Sequence, residues 1–551
     1  MALQLPPLFV QRMQDLLGDE FQSFLDSYQE SPHAGIRINT LKISDQDFQH
    51  ITPFALRSIP WCPTGYYVEE GTRPGKHPYY HAGLYYIQEP SAMAPVEALE
   101  VQPGDRVLDL CAAPGGKSTQ IAAALRGQGI LVTNDISADR TKALAKNMEL
   151  YGVRNAVVLN ETPEHIATQF PGFFNKILVD APCSGEGMFR KDEDMARQWA
   201  NHSVERCAIM QQDILNIVAT MLAPGGRIVY STCTFAPEEN ERSIAVFLDQ
   251  HAEFEVTTPR QAEHFASGHS DWAHQVEQEL QAGTSVLSGT ALDADRDTQY
   301  QSISTASLEQ TAKSARLWPH RIEGEGHYIC VLDHQGEAET IEQHPFIQVT
   351  QQSTLSKTYT EKPKRTDKRQ SAKDQQDWKS DRRSGKKGKE RRSDSKFPSA
   401  DQHESLSMIE VIEEFTAREL QLEWSQNWIH FGGRIYQSPI TEQQLKGLKV
   451  VRPGWFVGTI KNGRFTPSHA LATALHPVEA KRCIQLQSDS AEAISYLKGE
   501  TLTIDAERVE RSTDTLPKGY VLVCIDGYSV GWGKWLDGML KNEYPAGWRW
   551  T

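Results

Sequence analysis

The sequence has no run of 18 apolar residues, which excludes a membrane-spanning helix of the usual kind. Met1 to Val10 shows no basic start followed by a long apolar core, so no signal peptide is expected. The eight cysteines, at 62, 111, 183, 207, 233, 330, 483 and 524, include no CxxC pair. That spacing suits neither a zinc site nor a secreted disulfide framework, and the expected compartment is the reducing cytoplasm. Positive charge is short as well: 57 Lys and Arg against 72 Asp and Glu leave a net charge of −15. This argues against gripping nucleic acid by bulk charge, though a local basic groove stays open. No internal repeat is present.

The 551 residues suffice for two to four domains. Two stretches interrupt the globular texture. Residues 261–312 hold eight acids and a single Arg, with many Gln, Ser and Thr, and read as an acidic excursion or large loop. Residues 356–396 reverse the balance, with 16 Lys or Arg against 7 acids and almost no apolar residue, and read as a basic disordered linker. The linker could drape on phosphates or act as a plain solubilising tether. The expected division is therefore an N-terminal region (1–98), a central domain (99–340) carrying the insert, a linker region (341–402) and a C-terminal domain (403–551).

Between about 100 and 258, apolar runs alternate with helical patterns, which predicts a mostly parallel sheet covered by helices. Strands are expected at Val107–Leu110, Ile130–Asn134, Val157–Leu159, Ile177–Val179 and Arg227–Tyr230. One helix is expected from Ser118 to Arg126. Another follows a cap at Ser137, with Leu144, Met148 and Tyr151 on one face. The fold class is α/β, a Rossmann-like doubly wound domain with loops gathered at the strand C-termini.

Cys111, Ala112, Ala113, Pro114, Gly115, Gly116, Lys117 and Ser118 lie between a strand and a helix start. Glycine there lets the backbone approach a ligand, and the helix N-terminus offers free N–H groups. Asp135 stands twenty residues beyond Gly115, at the next strand end, where a carboxylate accepts hydrogen bonds from ribose hydroxyls. The competing reading is a phosphate-binding P-loop, since Gly116-Lys117-Ser118 is its right-hand half. That pattern needs glycine where Cys111 stands, and Pro114 removes a backbone donor. S-adenosylmethionine is favoured over ATP. A bare tight turn would leave Asp135 unexplained.

Two more loops follow strand ends: Asp180-Ala-Pro-Cys183 through Lys191, and Ser231-Thr-Cys233-Thr234. In a doubly wound sheet they face the same crevice as the glycine loop. A single cysteine is most often a small buried hydrophobe, the reading given to Cys62, Cys207, Cys330, Cys483 and Cys524. Two thiols and a carboxylate beside a methyl donor suit a specific chemistry. Carbon 5 of cytosine is a poor nucleophile until a thiolate adds to carbon 6 and makes the ring an enamine. Asp180 suits the acid that must attend ring nitrogen N3, and a second thiol can assist release.

Cys111–Lys117, Asp180–Lys191 and Ser231–Thr234, in this order and spacing, resemble the Nop/Sun family of RNA cytosine-C5 methyltransferases. The resemblance extends to Arg37-Ile-Asn39, Gln88-Glu-Pro-Ser-Ala-Met93, Leu317-Trp-Pro-His320 and Gly324-Glu-Gly-His327. It implies that Cys233 is the covalent nucleophile and that Cys183 helps release the product. DNA cytosine methyltransferases use the Pro-Cys thiol as nucleophile and lack the second cysteine, so the pair points to RNA and away from DNA. The resemblance also implies a cofactor site lined by Cys111–Lys117, Asp135, Arg140 and Asp180. Asn160 is the candidate adenine contact, with Glu161 and Thr162 as alternatives.

Gly454-Trp-Phe-Val-Gly458, Gly463-Arg-Phe465, Pro467–Leu471 and Gly531–Pro545 resemble the PUA-like extension of RsmF-type members, which act on bacterial small-subunit ribosomal RNA. Its short strands and aromatics fit a small β-barrel that stacks on bases, while Trp428, Trp455, Trp532 and Trp535 taken singly read as core. The implied function is S-adenosylmethionine-dependent 5-methylcytosine formation in small-subunit (16S) rRNA or the assembling small subunit. The N-terminal α+β region and the C-terminal domain would hold RNA. No metal and no membrane partner are expected. The alternatives are a transfer RNA substrate, a non-catalytic RNA-binding ribosome-assembly factor and a P-loop NTPase.

Overall fold

The computed structural model describes residues 4–199, 204–281, 303–337, 402–425 and 427–551. The stretch 356–396 and the middle of 261–312 lie outside the described residues.

β1 (Gly35–Ile38), β2 (Leu56–Ile59), β3 (Cys62–Val68) and β4 (Tyr85–Ile87) form an antiparallel sheet in the order β2-β3-β1-β4. The central domain is built on β5 (Arg106–Asp109), β6 (Ile130–Asn134), β7 (Ala156–Leu159), β8 (Phe174–Asp180) and β9 (Leu222–Thr232), all parallel and ordered β7-β6-β5-β8-β9. Their near-continuous apolar runs follow from burial on both faces: Val107, Leu108, Val132, Val157 and Ile177 are fully buried. Strand order reverses at β5, so a crevice opens at the C-terminal ends beside it. Beyond β9 come β10 (Phe254–Thr257), β11 (Ala266–Ser267), β12 (Ala315–Leu317) and β13 (His327–His334). β13 runs antiparallel to β9.

The first covering helix, Gly116–Leu125, starts two residues earlier than expected. The second is Arg140–Leu150, with Ser137 Oγ accepting from the Arg140 N–H at 3.4 Å. It buries Leu144 and Met148, and Tyr151 just beyond its end is buried too. The acidic stretch is less of a loop than its composition predicts. β11 pairs with β12, and helices Ser270–Gln281 and Thr305–Gln310 fold at its two ends. Trp272, Ala273 and Val276 are buried, one apolar stripe that the surrounding acids mask in a composition count. The edge is locked by Arg316, whose Nε donates to Glu241 Oε1 at 2.6 Å with both side chains almost fully buried.

The C-terminal region, expected as a PUA-like barrel domain, is built on two sheets. β14 (Trp428–Phe431), β15 (Arg434–Gln437), β17 (Trp455–Lys461) and β18 (Arg464–Pro467) form one of them. The other has six strands between Leu486's strand Arg482–Leu486 and Met539–Asn542. Between β15 and β17, β16 (Val450–Arg452) leaves its neighbours and pairs antiparallel with β7, Val450 opposite Leu159. The C-terminal region thus adds a strand to the central sheet. The six-stranded sheet shares a core with the N-terminal one, where Phe48 and Tyr85 belong to the same cluster as Ile484 and Tyr496. Trp455, Trp532 and Trp535 are core residues whose indole N–H groups donate to the carbonyls of Ala470, Ser468 and Ile504, while Trp428 is half-buried.

Replacing Glu241 with Ala leaves the Arg316 guanidinium buried without its carboxylate. The expected loss is about 3–5 kcal/mol, read as a lower urea midpoint, with a Glu241→Leu, Arg316→Met double variant losing less than Glu241→Ala.

Candidate active site

The parallel register of β8 and β9 sets Asp180 opposite Ser231, so the loops after both strands leave the sheet side by side. Cys183 and Cys233 follow, and their sulfurs lie 3.4 Å apart. The loops are laced together beneath them. Ser184 Oγ and Thr234 Oγ1 are 2.7 Å apart, the Gly187 N–H donates to the Cys233 carbonyl at 2.8 Å, and buried Glu239 accepts from the Ser184 N–H at 3.0 Å. The hydrogen bond to Cys233 and then burial push the Cys183 thiol well above its ordinary range. Cys183 is therefore a thiol, not a thiolate, at neutral pH. Burial also lifts the Glu239 carboxyl to about 8.

A cleft of about 300 Å³ opens beside these sulfurs. Cys111–Pro114, Gly116 and Lys117 line one side, and Asp180, Cys233, Glu89 and His327 line the other. Gly115 has φ +113°, and a Cβ there would stand 3.1 Å from Leu144 Cδ1, so glycine serves the turn itself. Arg37 secures the helix that follows: it donates to the Gly116 carbonyl at 2.9 Å and to Thr119 Oγ1 at 2.7 Å.

Lys117 Nζ donates to Asp180 Oδ2 at 2.8 Å, and Ser231 Oγ donates to Oδ1 at 2.9 Å. Burial alone would raise the Asp180 carboxyl, but the Lys117 ammonium outweighs it and holds Asp180 below the usual carboxylate range. Asp109, deeper in the same wall, has no such cation within bonding distance among the described residues. Burial drives its carboxyl up to about 7 despite the Ser118 hydroxyl at 2.5 Å, and its Oδ1 has no hydrogen-bond partner among the described residues.

Three of the expected cofactor residues serve the loop itself. Asp135 is only 2% exposed. Its carboxylate accepts from the Ala113 N–H at 3.3 Å and the Ser137 N–H at 2.8 Å, and it pairs with Arg140 at 3.3 Å. Arg140 also donates to the Ala113 carbonyl. Asn160 spends its amide N–H groups on the carbonyls of Asp135 and Ile136, at 2.8 and 2.9 Å. The hydrogen bonds of Asp135 and Asn160 brace the turn at which the ribose and adenine contacts are expected. Glu161, the alternative to Asn160, is buried and accepts from the Lys449 N–H at 2.7 Å, next to β16.

Glu89 and His327 carry no role in the sequence reading beyond their place in the quoted motifs. They come from segments more than 230 residues apart, and only the antiparallel fit of β13 on β9 brings His327 to the cleft. A carboxylate just before Pro-Ser and a histidine opening a strand after two glycines were the available signals. Among the described residues no cluster of three or more His, Cys, Asp or Glu could hold a metal ion, and no helix is long and apolar enough to cross a membrane.

Residues 96–333 match the family model described as 16S rRNA methyltransferase RsmB/F. Residues 5–90, 414–475 and 483–550 match the RsmF N-terminal, first C-terminal and PUA domains. The chain is thus similar to the RsmB/F model over its central domain and to RsmF models on both sides of it. Those matches favour the methyl-donor reading of the glycine turn over the P-loop one. Similar proteins named ribosomal RNA small subunit methyltransferase F include one from Erwinia tasmaniensis, 43% identical over 45% of this chain and 54% of that one. Another from Vibrio vulnificus is 42% identical over 43% and 52%. The chain spans about half the length of the curated relatives it matches. A solved methyltransferase homolog from Pyrococcus horikoshii is 28% identical, with TM-score 0.48, over 60% of this chain and 96% of that one.

In a Lys117→Met variant, burial of the Asp180 carboxylate goes unopposed by the ammonium, and Asp180 rises above the ordinary value of about 3.9. A depressed carboxyl adds stability above its unfolded value and loses it as pH falls through its folded one. In the variant the raised carboxyl reverses this sign, its contribution being lost as pH rises through the folded value. The variant's deficit against wild type is therefore largest near neutral pH and shrinks toward acid, measurable by thermal unfolding across a pH series and by carboxyl ¹³C titration.

Proposed function

We propose that this chain is an S-adenosylmethionine-dependent RNA cytosine-C5 methyltransferase acting on small-subunit rRNA in the cytoplasm. The observation that carries the reading is the pair of sulfurs 3.4 Å apart at the rim of the cleft, next to Asp180 and its Lys117 partner. Cleft size, its position at the strand ends beside the order reversal, and the glycine turn all fit the methyl donor. When bound, S-adenosylmethionine supplies an electrophilic methyl group.

The chain's own residues do the rest. Cys233 faces the cleft and adds as thiolate to cytosine C6, which raises electron density at C5. The proton that Cys233 gives up settles on N3 and returns when the thiolate is released. Asp180, ionised and fixed by Lys117 and Ser231, accepts a hydrogen bond from that N3–H, and Lys117 balances the charge. Cys183, held as a thiol, hydrogen-bonds the Cys233 sulfur when it leaves. Asp135, Arg140 and Asn160 keep the cofactor turn in shape. The substrate class is supported by the names of the relatives and by the PUA domain. The N- and C-terminal regions would hold the RNA backbone while the target base is flipped or unpaired.

The test uses a Cys183→Ala variant incubated with S-adenosylmethionine and total RNA, then run on a denaturing gel. A protein–RNA adduct is expected, lost when Cys233 is also replaced, and sequencing the trapped RNA names small-subunit rRNA or transfer RNA. No adduct together with no methyl transfer by the wild type to RNA or assembled subunits would leave a non-catalytic assembly factor.

A further inference from the structure

The proposed reaction leaves one proton without a destination. Once C5 carries its new methyl group it also carries its original hydrogen, which must depart before C5=C6 re-forms. Cys183 is a poor acceptor because it is itself protonated. Asp180 is already committed to the N3 edge of the ring, with Lys117 and Ser231 on its two oxygens.

His327 is placed and prepared differently. Tyr328 of β13 lies opposite Thr232 of β9, so His327 is the strand neighbour of Cys233. Its ring is buried, 4% exposed, and lines the same cleft. Ser91 Oγ donates to Glu89 Oε2 at 2.5 Å, because a carboxylate can only accept. The Ser91 oxygen is then the acceptor for His327 Nδ1–H, at 2.9 Å. Glu89 is itself fixed by the N–H groups of Ser91, Ala92 and Glu325 at 2.8–2.9 Å. This chain sets the tautomer: Nδ1 carries the hydrogen and Nε2 keeps its lone pair. Burial lowers the ring to about 4 although Glu89 and Asp180 pull upward, and Lys117 and Lys191 add to the lowering. The imidazole is neutral at pH 7, so Nε2 enters the reaction unprotonated.

We propose that His327, through Nε2, is the base that removes the C5 proton, with Ser91 and Glu89 as its positioning residues. The inference rests on the cytosine-C5 reading above. The C5–H electron pair becomes the C5=C6 bond, the C6–S bond breaks, and its pair returns to Cys233 as thiolate. The proton goes to Nε2, where the Glu89 carboxylate steadies the imidazolium through Ser91, and then to water.

The experiment follows wild type and His327→Ala on transcribed small-subunit rRNA and on assembled small subunits, with S-adenosylmethionine. RNA carrying 5-fluorocytidine, which has no C5 proton to lose, should trap the wild type as an adduct. His327→Ala should form a methylated adduct on ordinary RNA and release it at least about 100-fold more slowly, with tritium from [5-³H]cytidine retained. Added imidazole should restore release, an effect that a purely structural histidine would not show. If the Ala variant loses its folded circular dichroism, His327→Gln, whose amide can still meet Ser91, goes through the same assays and is expected to stall likewise. Free turnover by the folded variant, or methyl transfer abolished while cofactor binding persists, overturns the role of His327. A wild type that forms no fluorocytidine adduct and transfers no methyl group overturns the cytosine reading as well.

Discussion

Asp180 sits opposite Ser231 where the parallel strands β8 and β9 run out, and the geometry of the cleft descends from that pairing. A slip of one residue would turn one of the facing side chains to the other side of the sheet. With the register as it is, Asp180 meets Ser231, the two loops emerge together, and two cysteines fifty residues apart in sequence come within contact of each other. The antiparallel seating of β13 on β9 adds a third segment to the same rim.

Around that rim the protein has more buried carboxylates than cations, and the allocation of the cations separates their behaviour. Lys117 goes to Asp180, which stays ionised. Asp109 and Glu239 receive only neutral donors and are driven up to about 7 and 8. Arg316 goes to Glu241, for which the pair serves the fold of the sheet edge. Residues of one chemical type thus divide into an anion at the cleft and acids that share protons within the wall, the divergence that burial and partner choice produce together.

Much of the central sheet is legible in the chain because its strands are buried on both faces and read as unbroken apolar runs. The glycine turn and the two cysteine loops are legible because strand ends in a doubly wound sheet share one side. The bracing hydrogen bonds of Asp135 and Asn160 are not, since a carboxylate or amide at a strand end gives no sign of which backbone groups it will meet. Glu89, Ser91 and His327 are hidden for another reason: their connection exists only after two remote segments meet. The helix at Trp272 escapes a composition count because its three buried apolar residues are interspersed with three acids, of which Glu277 is itself buried against Arg242.

β16 gives the central sheet a border that its own sequence does not provide. The outer edge of β7 would otherwise present unpaired backbone donors and acceptors along an apolar strand, Ala156-Val-Val-Leu159. Such an edge invites pairing with other chains. By lending three residues from nearly three hundred positions away, the C-terminal region acts as a built-in guard against self-association. Cutting the chain ahead of β16 would therefore yield a central fragment inclined to aggregate, so the two parts remain together for solubility.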